Sequence, residues 1–186
     1  MNLPINPLLL VAFFPLVGFL IIVFLKETQK EAIRWTALVT SLVTFGLSLL
    51  MLAQFKTGEP GLQLSVRTPW LTVGGINIDF FLGVDGLSIL LVLLTTFLTP
   101  IVILSTWTAV KDNVKGFMLF FLLLEIGMNG VFMALDLVLF YVFWEFTLIP
   151  MYFLIGLWGG ERRIYAAVKF FLFTMFGSLL MLVAIL

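Results

Sequence analysis

Residues 137–158 read Leu137-Val-Leu-Phe-Tyr-Val-Phe-Trp-Glu145-Phe-Thr-Leu-Ile-Pro150-Met-Tyr-Phe-Leu-Ile-Gly-Leu-Trp158. The run is far too long for a strand, and Glu145 is its one charged residue. A helix needs about 20 mostly apolar residues to cross a bilayer, so this stretch reads as a membrane span. The rest of the chain agrees. Of its 186 residues 62% are hydrophobic and 11% charged, against roughly 45–50% and 25% in soluble domains. Ten basic and ten acidic side chains cannot cover a soluble surface, and their zero net charge offers no basic field for nucleic acid.

Five further spans are expected, giving helices at about 7–25, 33–53, 86–107, 116–135, 137–158 and 164–186. The fold class is thus an all-α integral membrane protein with six transmembrane helices, forming one membrane domain over 1–186. The first stretch has no preceding basic residue and no clear small-residue cleavage site, so it reads as a retained helix and not a signal peptide. Between helices two and three, residues 54–85 form a long loop. Leu62, Leu64 and Val66 alternate with polar residues, as do Ile76, Ile78 and Phe80 after Gly74-Gly75. That period of two predicts a short β-hairpin on the outer surface, with an irregular loop as the alternative. Lys26, Lys30 and Arg34, then Lys111 and Lys115, then Arg162 and Arg163 occupy alternate loops. The excess of basic residues marks these as cytoplasmic and places the N-terminus outside.

Cys and His are absent, so thiolate or imidazole metal sites, cysteine-held iron–sulfur clusters and Cys/His or Ser/His nucleophiles are excluded. No cofactor or metal is expected on this chain, and any redox centre belongs on a partner. The candidate site residues are instead charges inside the spans. Glu125 falls near the middle of helix four and Glu145 about nine residues into helix five. An acidic side chain at bilayer depth costs about 2.5 kcal/mol or more on insertion scales, so it requires a partner or a purpose. Pro150 cannot donate to the Phe146 carbonyl, which predicts a kink beside Glu145. Loss of water disfavours an ionised carboxyl and a nearby cation favours it, so a carboxyl whose partner moves can exchange a proton near neutral pH. Glu145 is accordingly the candidate proton relay, with a static ion pair or hydrogen bond as the alternative. Glu125 is a possible member of the pathway, or faces a partner subunit or headgroup water. Lys169 is a possible pathway residue or a lysine that snorkels to the cytoplasmic interface. Asp136 and Asp85 read as caps of helices five and three, and Pro15 and Pro100 predict further kinks. Trp70, Trp107 and Trp158 suit interfacial anchoring, Trp144 being the exception.

The stretch from Phe143 to Gly160, followed by Ala167-Val168-Lys169-Phe170-Phe171 and preceded by Gly83-Val84-Asp85-Gly86-Leu87-Ser88, resembles the antiporter-like subunit M family of complex I. This is the NADH:quinone oxidoreductase of bacteria, with mitochondrial chain 4 and plastid relatives. The resemblance implies a membrane-arm proton translocase in which the glutamate matching Glu145 belongs to the proton pathway. It implies a bacterial inner membrane, with a thylakoid or organellar inner membrane as the alternative. Neighbouring antiporter-like subunits are the expected partners, and flavin, iron–sulfur clusters and quinone are expected on other subunits. Family members have about fourteen helices with two inverted repeats, and the lysine that pairs with the glutamate comes from a later helix. The chain therefore reads as the N-terminal part of such a subunit or as a truncated product. Two other functions stay open: a subunit of a multi-subunit cation/proton antiporter, and a structural membrane scaffold that moves nothing.

Overall fold

A computed structural model describes residues 6–59, 61–73 and 76–185. Six helices are long and apolar enough to span a membrane, and the protein is multi-pass. They are α1 (Pro7–Phe24), α2 (Lys30–Gln54), α3 (Ser88–Ser105), α4 (Val114–Met133), α5 (Leu137–Trp158) and α6 (Arg163–Ile185), with strands β1 (Gln63–Val73) and β2 (Ile76–Val84) between α2 and α3. The expected hairpin is therefore present. Gly74 and Gly75, the first five residues, Pro60 and Leu186 lie outside the described residues.

Helix ends differ from the apolar runs wherever polar chemistry sets them. α2 starts at Lys30, ahead of the expected 33, because the Lys30–Arg34 turn is helical though not apolar. α3 starts at Ser88, not 86, since Asp85 Oδ1 accepts from the Leu87 and Ser88 amides at 3.0 and 2.7 Å while Ser88 Oγ accepts from the Asp85 amide at 2.9 Å. This reciprocal pair makes residues 86–87 a capping turn. α4 starts at 114 because Asn113, with φ 47°, turns its side chain to accept from the Gly116 amide. It ends at Met133 because the Leu135 amide donates to Phe81 of β2 at 2.9 Å. Asp136 caps α5 as expected, accepting from the Val138 and Leu139 amides at 2.9 and 3.0 Å.

β1 and β2 pair antiparallel, with Arg67 opposite Phe81 and Thr68 opposite Phe80. The simple alternation expected from Leu62 does not hold. The strand begins at Gln63, and the register shifts between Gln63 and Val66, where Leu64 has φ 53°. The sheet docks on the helix ends through Asn6 Nδ2, which donates to the Leu64 carbonyl at 3.2 Å, and through the Phe81–Leu135 bond.

α4 is the centre of the bundle, packing on α1, α2, α3 and α5, whereas α6 packs mainly on α5. Two apolar clusters hold α1–α4 together. One joins Leu8, Met51, Ile89 and Met133 near the hairpin. The other joins Ile22, Leu38, Ile103 and Leu122 toward the opposite end. At that opposite end the basic residues clip the loops. Lys30 Nζ donates to the Lys111 carbonyl at 2.8 Å, Arg34 Nη2 to the Val110 carbonyl at 2.9 Å, and Lys115 Nζ to the Val23 and Leu25 carbonyls at 2.9 and 2.7 Å. The last two are carbonyls at the α1 C-terminus, where a cation is favoured.

Candidate functional site

The faces of α4 and α5 decide where the two membrane glutamates go. Val114, Met118, Leu122, Glu125, Asn129 and Met133 recur every three or four residues, forming one stripe, and all are buried. Val114, Met118 and Leu122 join the cluster with α1–α3, and Met133 joins the one near the hairpin. Glu125 and Asn129 therefore sit between two apolar layers and face the α1–α3 side. Each has 0% exposure, which corrects the reading that Glu125 faces lipid headgroups or a neighbouring subunit. Glu125 Oε1 and Oε2 and Asn129 Oδ1 and Nδ2 have no hydrogen-bond partner in the protein.

The surrounding helices supply hydroxyls at that depth. On α2, Thr40, Ser41, Thr44 and Ser48 are buried between Leu38 and Met51; on α3, Thr95, Thr96 and Thr99 are buried between Val92 and Ile103. Ser48 and Thr96 bond across the interface at 2.8 Å. Thr44, Thr96 and Thr99 donate to carbonyls four residues earlier in their own helices.

Glu145 lies elsewhere. α5 meets α4 through Thr147 and Phe146 at Gly127 and through Phe143 at Gly130. Glu145 is two positions from both Phe143 and Thr147, hence about 200° around the helix from each. It is half-buried, with Oε1 enclosed and unpartnered. Tyr141, one turn earlier, faces both the Glu145 carboxyl and Ser178 of α6. Ser178 is buried and donates to the Met175 carbonyl at 2.9 Å. A carboxyl, a phenol and a hydroxyl thus meet at the α5–α6 face, a set able to accept, hold and pass a proton. α5 continues as one helix through Pro150.

Lys169 is not brought to either glutamate. Across α5 and α6, Tyr152 meets Phe171 edge-to-face and Gly156 opposes Ala167. Lys169 is thus nine residues along α6 from Ser178, about 13 Å at 1.5 Å per residue. It is exposed, with its ammonium 5.8 Å from the Tyr165 ring centre. Among the described residues the ion pairs are Arg34–Glu31, Lys56–Glu59 and Arg67–Asp79, so neither membrane glutamate is paired with a cation. Sequence reasoning missed Asn129, Tyr141, Ser178 and the hydroxyl layer. The available signal was spacing: Asn129 follows Glu125 by four residues, Tyr141 precedes Glu145 by four, and Thr40, Thr44 and Ser48 repeat every four.

The profile of the NADH:quinone oxidoreductase/Mrp antiporter transmembrane family matches residues 134–186. NADH-quinone oxidoreductase subunit M of Rhodobacter capsulatus is 48% identical over 183 residues, covering 96% of this chain and 35% of that protein. A chain of respiratory complex I from Thermus thermophilus with bound NADH superposes with a TM-score of 0.78 at 30% identity, covering 95% of this chain and 34% of that one. A chain of the Mrp complex from Dietzia sp. DQ12-45-1b shares the fold, with a TM-score of 0.68 at 22% identity over 96% of this chain and 18% of that one. The chain thus spans about a third of the length of the subunit M relative that it matches. Along nearly its whole length the chain is thus similar to about a third of NADH-quinone oxidoreductase subunit M, and its residues 134–186 match the transmembrane family that includes such subunits.

Proposed function

We propose that this chain is part of a proton-translocating membrane-arm subunit of an NADH:quinone oxidoreductase, in which Glu145 relays a proton. The observation that carries the proposal is the 48% identity to subunit M along nearly the whole chain. The geometry supports a relay at Glu145, because its half-buried carboxyl adjoins Tyr141, which in turn neighbours Ser178, and Pro150 leaves the Phe146 carbonyl without an amide donor. A bend at Phe146–Pro150 opens that carbonyl to water. Glu125 is a further member of the pathway, whereas Lys169, exposed and away from both glutamates, snorkels to the cytoplasmic interface. Electron transfer occurs in partner subunits that hold flavin, iron–sulfur clusters and quinone. Neighbouring antiporter-like subunits of the membrane arm are direct partners.

The protein sits in a bacterial inner membrane with its N-terminus outside. In support, Lys30, Arg34, Lys111 and Lys115 gather at one end of the bundle, as basic residues do on the cytoplasmic side. The shared fold with an Mrp complex chain favours a second reading as a cation/proton antiporter subunit. The far higher identity to subunit M weighs against it.

The test is Glu145→Gln in the complete assembly. Gln keeps the shape and hydrogen bonding of the side chain but cannot titrate, so assembly persists while quinone-coupled acidification of sealed vesicles falls severely. Glu145→Asp retains part of the activity, since an ordered water bridges the missing methylene. Wild-type pumping by an assembled Glu145→Gln complex would leave a scaffold role as the better account.

A further inference from the structure

The interior of α1–α4 alternates apolar, polar and apolar layers along its axis. The outer layer includes Leu8, Met51, Ile89 and Met133, and the inner layer Ile22, Leu38, Ile103 and Leu122. Between them lie Glu125, Asn129 and the α2 and α3 hydroxyls, with Ser48 and Thr96 bonded to each other. Fully buried polar atoms are almost always partnered by protein or water. Here four side-chain atoms on one stripe of α4 have no protein partner. From this layering we infer that the α1–α4 bundle holds an occluded, hydrated proton site on Glu125, separate from Glu145, whose ligands are water and one exchangeable proton.

The lining has the chemistry for those ligands. Thr44, Thr96 and Thr99 spend their hydroxyl protons on their own helices, so their remaining lone pairs accept from water. Pro15 and Pro100 are both buried, and each leaves the carbonyl four residues earlier, Val11 and Thr96, without its amide donor. Asn129 both donates and accepts. An acceptor-rich lining suits water and a proton and repels an anion.

Among the described residues no other charged or ionisable side chain is buried with Glu125. The buried polar side chains of α2 and α3 are the hydroxyls already named, and α1 presents Val11, Ala12, Pro15 and Gly18. α5 turns Phe143, Phe146 and Thr147 toward α4 while Tyr141 adjoins Glu145 and Ser178. Asp79 of β2 is held by Arg67 at 2.6 Å. The proton on Glu125 therefore exchanges only when one of the apolar layers opens. Its use in transport rests on the function proposed above, whereas its existence does not.

The experiment is pH-difference infrared spectroscopy on the full-length protein in its membrane assembly. A carboxyl signal is expected that Glu125→Gln abolishes and Glu145→Gln leaves in place, and Asn129→Leu and Thr96→Val should each shift its frequency. A spectrum unchanged by Glu125→Gln overturns the proton site. If that variant does not assemble, the other two decide, because both leave the carboxyl present, and no shift in either overturns the hydrated layer. Normal pumping by Glu145→Gln would refute the relay at Glu145 without altering these spectra, so the two proposals fail separately.

Discussion

A β-carbon added at Gly127 would lie 2.7 Å from Thr147 Cγ2 and 3.2 Å from Phe146 Cδ1. Carbon atoms in contact rest about 3.5–4.0 Å apart, so Gly127→Ala forces α4 and α5 about 1 Å apart or turns Thr147 away. Turning Thr147 is opposed by its hydroxyl, which donates to the Trp144 carbonyl at 2.7 Å, a bond whose loss costs about 1 kcal/mol. Overpacking of this kind typically costs about 1–3 kcal/mol. Alanine also has the better helix propensity by about 1 kcal/mol, which obscures a single variant. A double-mutant cycle removes that contribution. Thr147→Ser deletes the methyl that the alanine strikes and keeps the hydroxyl, so Gly127→Ala should be tolerated in the serine background. The expected coupling is about 1–2 kcal/mol, a factor of roughly 5–30 in the folded ratio. Reversible SDS unfolding of the full-length protein in mixed micelles, followed by tryptophan fluorescence, gives the four free energies. A coupling under about 0.5 kcal/mol, the limit for independent sites, would refute the close approach of α4 and α5 at this level.

Asp136→Ala should destabilise the α4–α5 turn by about 1 kcal/mol, since the Val138 and Leu139 amides lose their acceptor; faster amide exchange confined to the first turn of α5 would show it. Asp85 is exposed, and its hydrogen bonds with the Ser88 backbone and side chain hold its carboxyl below the usual range. A carboxyl depressed in the folded state contributes stability above its unfolded pKa and loses it as pH falls through the folded value. Protection at the start of α3 should therefore decline on acidification below about pH 4, and Asp85→Asn should remove that dependence. Ser48→Ala breaks the 2.8 Å bond to Thr96 and should cost about 0.6 kcal/mol, the mean for bonds between membrane helices, in the same SDS unfolding assay. A cysteine at Lys111 should resist an impermeant thiol reagent added outside intact cells; reaction there would invert the topology.

The apolar runs made the helices legible because a bilayer imposes a length that few other constraints mimic. Residues 137–158 were read to the residue, since Asp136 caps one end and the glycines at 159 and 160 follow the other. Apart from the start of α1 at Pro7, the other ends shifted by one to three residues, where hydrogen bonds outran hydrophobicity. Asp85 held back α3, and the Phe81 carbonyl ended α4 by capturing the Leu135 amide. The hairpin was legible from its alternation, but the irregularity at Leu64 was not, because a positive φ there is imposed by docking and leaves no residue signature. Glu125 and Glu145 were both visible as costly charges, yet nothing in their local sequence separated their surroundings.

The sequence by itself determined that the protein lives in lipid, where its helices run and which carboxyls lie at membrane depth. Burial of apolar side chains and the cost of charge act on each segment separately and can be counted along the chain. Only the tertiary structure decided that Glu125 is sealed among α1–α4 while Glu145 opens toward α6, and that Lys169 meets neither. A helix fixes the angles between its own side chains, but which angle faces a neighbour depends on which helices pack together. Here that was set by contacts distant in sequence: Gly127 and Gly130 admitting α5 on one side of α4, and the Leu122 and Met133 clusters holding α1–α3 on the other.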